Sequence, residues 1–273
     1  MLNATFAAEA AAGFNQTPAQ GPYTLAMSNS AIWVSLPNIT ADYATIIDAI
    51  RAQAASPDAA ALHLPPAYNG DETLIAGYRA QLEQLAQLHA NPRSPSLESA
   101  FATGTSPAAV LLHPLSRGTA RLNATHPFEP PVLDYRSASN PIDLTLHLAH
   151  TRYLRRMTST DALQGLGVVE VGPGEAAAAD EARLEAYVRQ STIQSYMHPC
   201  CTAAMLPLDK GGVVGSDLRV HGTEGLRVVD MSMLPILPGA HLSATAYAVG
   251  EKVRLDFLLS FLPLSFSPSF SSS

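Results

Sequence analysis

The sequence predicts a fold of mixed α and β structure, and three observations carry that reading. Apolar residues recur at helical spacing in several long segments. Short apolar runs bounded by turn residues lie between them, as strands do. The two textures alternate without an internal repeat. The chain has 273 residues, 47% hydrophobic and 14% charged, enough to bury a sizeable core in one large domain or two small ones.

Residues 41–55, ADYATIIDAIRAQAA, place Tyr43, Ile46, Ile47 and Ile50 on one helical face. From Asp71 to Leu88 the residues Leu74, Tyr78, Leu82, Leu85 and Leu88 form a second apolar stripe. Between them SPDAAALHLPPAYNGD is a connector, broken by Pro65-Pro66 and Asn69-Gly70. Residues 91–107, NPRSPSLESAFATGTSP, read as a second polar connector. Two short strands joined by a loop follow, Val110–Leu112 and Thr119–Leu122. Asn140-Pro141 is a helix start, a capping side chain followed by proline at the first helical position, and the helix runs through IDLTLHLAHTRYLRRM. After the turn Gly172-Pro-Gly174 a helix spans roughly Ala176 to Ser191. A last strand, Leu226–Asp230, leads through a proline-rich loop to a final helix from Ser243 to about Leu259, and the Ser/Phe/Pro tail beyond reads as unfolded.

Composition removes whole function classes. Lys and Arg number 16 against 23 Asp and Glu, a net charge of −7. No basic run is present to neutralise phosphates, so neither DNA nor RNA is the expected partner. Cys200 and Cys201 are sequence neighbours that cannot staple distant segments. With no CxxC pair, neither a disulfide framework nor a structural metal is expected. The N-terminal stretch lacks a basic region and carries Glu9, so it does not read as a signal peptide. The C-terminal apolar run is interrupted by Pro263 and Pro268, which argues against a membrane span. Four sequons, at Asn3, Asn15, Asn38 and Asn123, are the opposing indication of a secretory history, and they leave localisation open. The glycine pairs Gly165-Leu-Gly167 and Gly172-Pro-Gly174 do not continue into GxGxxG, and Walker A, GxSxG and HExxH are all missing.

The informative stretch is 198–252. Any one of the nine histidines, taken alone, reads as a surface or core residue rather than a catalyst. Their order with other motifs says more. HPCCTAAM, then Gly-Val-Val, then LRVHGTEGLRVVD, then SMLP, His241 and a helix ending in Gly-Glu-Lys follow one another. Upstream stands HPLSRGTARLNATHPFEPPVLDY. This succession resembles the C-terminal signature of the glucose–methanol–choline (GMC) flavin oxidoreductases, especially fungal members acting on alcohols. The resemblance is specific over about 113–252 and looser over the first hundred residues, where GPYTLAMSNSAIWVSLP fits the family's cap region.

That resemblance implies an α+β fold, an antiparallel sheet flanked by helices, with an incomplete edge of the FAD domain. It divides the chain into a cap and substrate-domain part over 1–107, the substrate domain proper over 108–225, a segment over 226–259 that packs on the FAD domain, and a disordered tail over 260–273. It implies FAD as cofactor and a small alcohol as substrate, oxidised in fungal secondary metabolism. Oxidising an alcohol sends a hydride to the flavin while the hydroxyl proton goes to a base. The resemblance gives the base as His198 and its partner as His241, and it places Asp230, Met231 and Leu242 against the cofactor. The residues alone leave Asp230 equally a turn or cap residue, Arg117 a structural buttress, and Met205 and Met233 packing groups. Cys200 and Cys201 are expected to be two ordinary small residues, since a bridge between neighbours is strained.

Three departures qualify the resemblance. The dinucleotide-binding part is not in this sequence, so weak or no flavin binding and a truncated enzyme are expected. Gly215 stands where the family commonly has Asp. The segment after Glu251-Lys252 reads as sequence from outside the original frame. Two other readings therefore stay open: an inactive remnant without flavin, and a flavin-free proton-transfer catalyst using the same histidines. Apolar surface left exposed predicts self-association or a partner chain.

Overall fold

The computed structural model describes residues 4–24, 30–101, 108–165, 168 and 170–261. The expected unfolded tail lies outside them from residue 262 onward. Helix α1 (Ala4–Phe14) comes first, followed by strand β1 (Ser30–Val34) and the short α2 (Leu36–Ile39). Helices α3 (Tyr43–Ala55), α4 (Pro57–Ala61) and α5 (Glu72–Ala90) form the first large layer. Their apolar stripes meet: Ile46, Ile47 and Ile50 of α3 and Tyr78, Leu82 and Leu85 of α5 are buried in one cluster. The Asp71 carboxylate starts α5 by accepting from the N–H groups of Thr73 and Leu74 at 3.0 and 3.2 Å, two donors the first helical turn leaves unpaired.

The predicted polar connector 91–107 is corrected by the structure. Its middle forms β2 (Leu97–Phe101), the central strand of a three-stranded antiparallel sheet in the order β1, β2, β3, with β3 at Val110–Leu111. The side chains of Ser96, Glu98 and Ser99 made this stretch read as solvated, yet all three are buried. Flanking strands on both sides satisfy its backbone and override local polarity. The two strands expected to form one pair also separate. Leu111 of β3 pairs with Leu97 of β2, whereas β4 (Thr119–Arg121) pairs with β5 (Val132–Asp134) in a second, two-stranded antiparallel sheet.

Helix α6 (Pro141–Thr158) begins where Asn140-Pro141 predicts, the Asn140 side chain accepting from Ile142 N–H at 3.1 Å. It is the hub of the fold. Ile142 and Leu146 enter the α3/α5 cluster, Ala149 and Leu154 pack with Ile39 and Leu97, and Leu144 and Leu148 receive Leu184 and Val188. A short α7 (Asp161–Gln164) follows. The single helix expected over 176–191 is two, α8 (Glu175–Ala178) and α9 (Glu181–Ser191), because Asp180 caps a new start by accepting from Arg183 N–H. Residues 226–230 are no strand; they meet 218–220 only through an isolated bridge, Arg219 to Arg227, and the hydrogen bonds flanking it. Val214, Leu218 and Met233 make a small separate core, which gives Met233 the packing role expected of it. Helix α10 (Ser243–Phe261) closes the described chain. No helix among the described residues is long and apolar enough to cross a membrane.

Candidate active site

The site is built outward from β2. Antiparallel register sets Trp33 of β1 directly across from Glu98 of β2, so the two side chains share a face of the sheet. The indole N–H donates to Glu98 Oε2 at 3.2 Å. The other carboxylate oxygen, Oε1, lies 2.6 Å from His241 Nε2, while the Glu98 side chain is only 2% exposed. A buried carboxylate is costly unless its oxygens are bonded, and here each oxygen has a donor. No local signal in the sequence marks Glu98, which sequence reasoning missed; only the cross-strand pairing reveals it.

His241 ends the proline-rich loop just before α10, and His198 follows a left-handed turn at Ser195–Met197. Folding brings the two imidazoles together: His241 Nδ1 and His198 Nε2 are 2.7 Å apart, with ring centroids at 4.7 Å. Both ring nitrogens of His241 are thereby engaged. When the carboxylate accepts from Nε2–H, a neutral His241 offers Nδ1 as acceptor, and His198 donates Nε2–H to it. Three groups form one line, Glu98, His241 and His198. The Tyr196 ring lies beside both imidazoles, at 6.4 and 6.1 Å between centroids. Burial, then repulsion from His241, hold the His198 pKa below the ordinary imidazole value, against a smaller upward pull from Glu98.

These residues open onto a cavity of about 920 Å³ whose wall includes Glu98, His113, Tyr196, His198, Cys201 and His241. Of the cofactor residues expected from sequence, Leu242 lies in that wall and Asp230 and Met231 do not. Asp230 is exposed and caps the turn Met231–Met233, its carboxylate accepting from Ser232 N–H at 2.8 Å. Met231 acts through its backbone, its carbonyl accepting from Cys201 N–H at 3.2 Å. Arg117 is the expected buttress, its guanidinium donating to the carbonyls of Pro114, Leu115 and Ser116 at 2.9–3.0 Å. Gly215 leaves its turn closed, with its N–H bonded to Arg219 O at 3.0 Å. Cys200 and Cys201 overturn the expectation of two ordinary residues: they are joined by a disulfide, with Cys201 in the left-handed region at φ 75°.

Helices around small antiparallel sheets, with a large cavity beside them, are the fold shared with solved flavin-dependent oxidoreductases. The sequence model of the GMC oxidoreductase family matches residues 114–250, and the chain belongs to that family, whose FAD-dependent enzymes oxidise alcohols or sugars. Dehydrogenase xptC of Emericella nidulans is 33% identical over 257 residues, which are 92% of this chain and 40% of that protein. The solved structure of a fungal aryl-alcohol oxidase is 55% identical, with a TM-score of 0.86 over 96% of this chain and 43% of its own. An FAD-dependent oxidoreductase from Chaetomium thermophilum is 34% identical, with a TM-score of 0.84 over 95% of this chain and 43% of its own. The chain thus spans less than half the length of these relatives.

Proposed function

We propose that this chain carries the alcohol-binding and proton-accepting part of an FAD-dependent GMC oxidoreductase, acting on a small alcohol in fungal secondary metabolism. The observation that carries the reading is the line Glu98–His241–His198, with successive contacts of 2.6 and 2.7 Å at the cavity wall. His198, whose Nε2–H is donated to His241, is the first acceptor of the substrate's hydroxyl proton, at its Nδ1. The positive charge that results spreads over two imidazoles, and the Glu98 carboxylate behind them stabilises it. His241 holds the second imidazole in the tautomer that can share this proton. The Leu234–Pro238 segment supplies an aliphatic wall that excludes water.

The residues present suit the ring end of FAD. The first turn of α10 begins beside Leu242 in the cavity wall, and its leading N–H groups have no acceptor within the helix. Those donors and the positive end of the helix dipole favour a group that becomes anionic on reduction. FAD bound there would supply the acceptor for the hydride that leaves the carbinol carbon. Large apolar side chains stand exposed, among them Phe128, Met197 and Tyr247, and they support a further proposal of self-association or a partner chain. A sedimentation mass that stays monomeric at every concentration counts against that association.

The test is the visible spectrum of the protein with excess FAD, recorded without oxygen before and after an alcohol is added. Flavin bands that bleach in the wild type and persist in His198→Ala support the reading. Unchanged FAD bands in the wild type sink the reading that this chain oxidises an alcohol by itself, and leave the inactive remnant and the flavin-free proton-transfer catalyst.

A further inference from the structure

His113 directly, and Arg117 through Gln81 of α5, reach the loop that delivers His241. That loop, Leu234 to Leu242, is neither helix nor strand. It is gripped at two carbonyls. Gln81 Nε2–H donates to Pro235 O at 2.8 Å, and His113 Nδ1–H donates to Leu237 O at 3.0 Å. Ile236, between the two, packs against the α3/α5 core. Two residues further on, Gly239 packs closely: a Cβ there would press on Pro95 Cγ at 3.1 Å and touch His113 Nε2 at 3.5 Å. The loop lies against the His113 ring itself.

Each grip is in turn held from behind. Gln81 Oε1 accepts from Arg117 Nε and Nη2 at 3.3 and 3.0 Å, which fixes which end of the amide faces Pro235. The carbonyl of His113 accepts from His89 Nε2–H at 3.1 Å. The Asp143 carboxylate accepts from the N–H groups of Leu115 and Ser116, both at 2.7 Å. His113, His89 and Asp143 are all at most 3% exposed. Because each acceptor is a carbonyl, the tautomers of His113 and His89 follow from geometry: Nδ1–H on the first, Nε2–H on the second.

We propose that His113 and Gln81 are positioning residues for His241. They hold its loop at the depth where His241 Nε2 meets Glu98 and Nδ1 meets His198, and without them the line of three groups does not assemble. This rests on the reading of the histidine pair as the proton acceptor, but its test is independent of flavin and of turnover. A displacement of about 1 Å is enough to break a hydrogen-bonded contact of this kind.

The experiment is side-chain imidazole NMR on the full chain, following the His241 Nε2–H proton and the titration of His198. His113→Phe keeps a ring of similar size and removes the donor; His113→Asn restores an N–H near the Nδ1 position; Gln81→Met removes the second donor while keeping shape. The expected result is that His113→Phe and Gln81→Met each expose the His241 Nε2–H to solvent exchange about tenfold faster, the scale of one lost hydrogen bond. In both variants His198 also titrates without coupling to His241, and His113→Asn returns both signals toward the wild type. A His113→Phe protein that is less stable but keeps both signals unchanged shows a merely structural residue and overturns the proposal. Should His113→Phe not fold, Gln81→Met decides alone: unchanged signals overturn, faster exchange supports. Failure of the alcohol to bleach FAD in the wild type leaves these outcomes unaffected, so the two readings fail separately.

Discussion

Four histidines, His89, His113, His147 and His150, are placed where protonation opposes folding, and the fold should therefore be labile to mild acid. Burial is the first cause in each case and holds all four pKa values below the ordinary imidazole range. For His89 the value falls from 6.5 to about 4. Its Nε2–H is bonded to His113 O, and its Nδ1 is buried with no hydrogen-bond partner, so a second proton there would have nowhere to donate. The sign follows from linkage: the unfolded chain takes up a proton near 6.5 that the folded chain refuses until about 4. This contribution to stability is whole above the unfolded value and is lost as pH falls toward the folded one. For His89 alone the loss is about 2 kcal/mol between about pH 7.5 and about pH 5, and about 3 kcal/mol below about pH 4. The other three histidines act in the same direction. Asp143, whose carboxyl burial pushes up, acts in the opposite one and offsets part of the loss. The assay is urea unfolding followed by circular dichroism across that pH range, on the wild type and on His89→Gln, whose amide can still donate to His113 O but does not titrate. A wild-type stability that is flat or rises toward pH 5, or a His89→Gln variant with the wild-type slope, refutes the reasoning.

Other consequences are open to direct measurement. Gly77→Ala, which in a solvated helix gains about 1 kcal/mol, should instead destabilise the protein by about 1–3 kcal/mol. Its new Cβ would stand 2.1 Å from Lys210 O, where the turn Leu208–Lys210 lies on α5; a thermal melt that rises contradicts this. Leu85→Ala, at 1% exposure in the α3/α5 cluster, should cost about 2–5 kcal/mol in urea unfolding. The Cys200–Cys201 link predicts an intact mass about 2 Da below that of the reduced chain and no reaction with a thiol reagent until reductant is added; two free thiols in the untreated protein would contradict it.

What was legible in the sequence and what was not divide along physical lines. The helices α3, α5 and α6 show themselves because periodicity and capping are local: the stripe from Leu74 to Leu88 and the Asn140 cap lie within a few residues of what they organise. The motif order from His198 to Lys252 likewise pointed to the family, and it singled out two histidines whose rings the fold brings to 2.7 Å. Strand β2 and Glu98 were hidden because their state is set by partners far along the chain. Trp33 stands 65 residues before Glu98, and only with β1 and β3 in place does Leu97–Phe101 become the middle of a sheet. The opposite error occurred at 226–230, where a β-branched run finds only an isolated bridge for a neighbour. The grip on the His241 loop joins residues separated by 124 and 154 positions, beyond the reach of any window of sequence.

The central claim is that His198 and His241, backed by Glu98, receive the proton of an alcohol as one unit. The measurement that tests it most directly is the rate of anaerobic flavin reduction by an alcohol against pH, under excess FAD, in the wild type and in Glu98→Gln. The account predicts a wild-type rate that rises with pH through a midpoint below the ordinary imidazole value, since burial and the neighbouring ring depress His198. Removing the carboxylate's charge makes the pair a weaker base, so Glu98→Gln should shift the midpoint to lower pH and reduce the plateau rate. A wild-type profile flat across the imidazole range, or a Glu98→Gln profile that superimposes on it, would contradict the account.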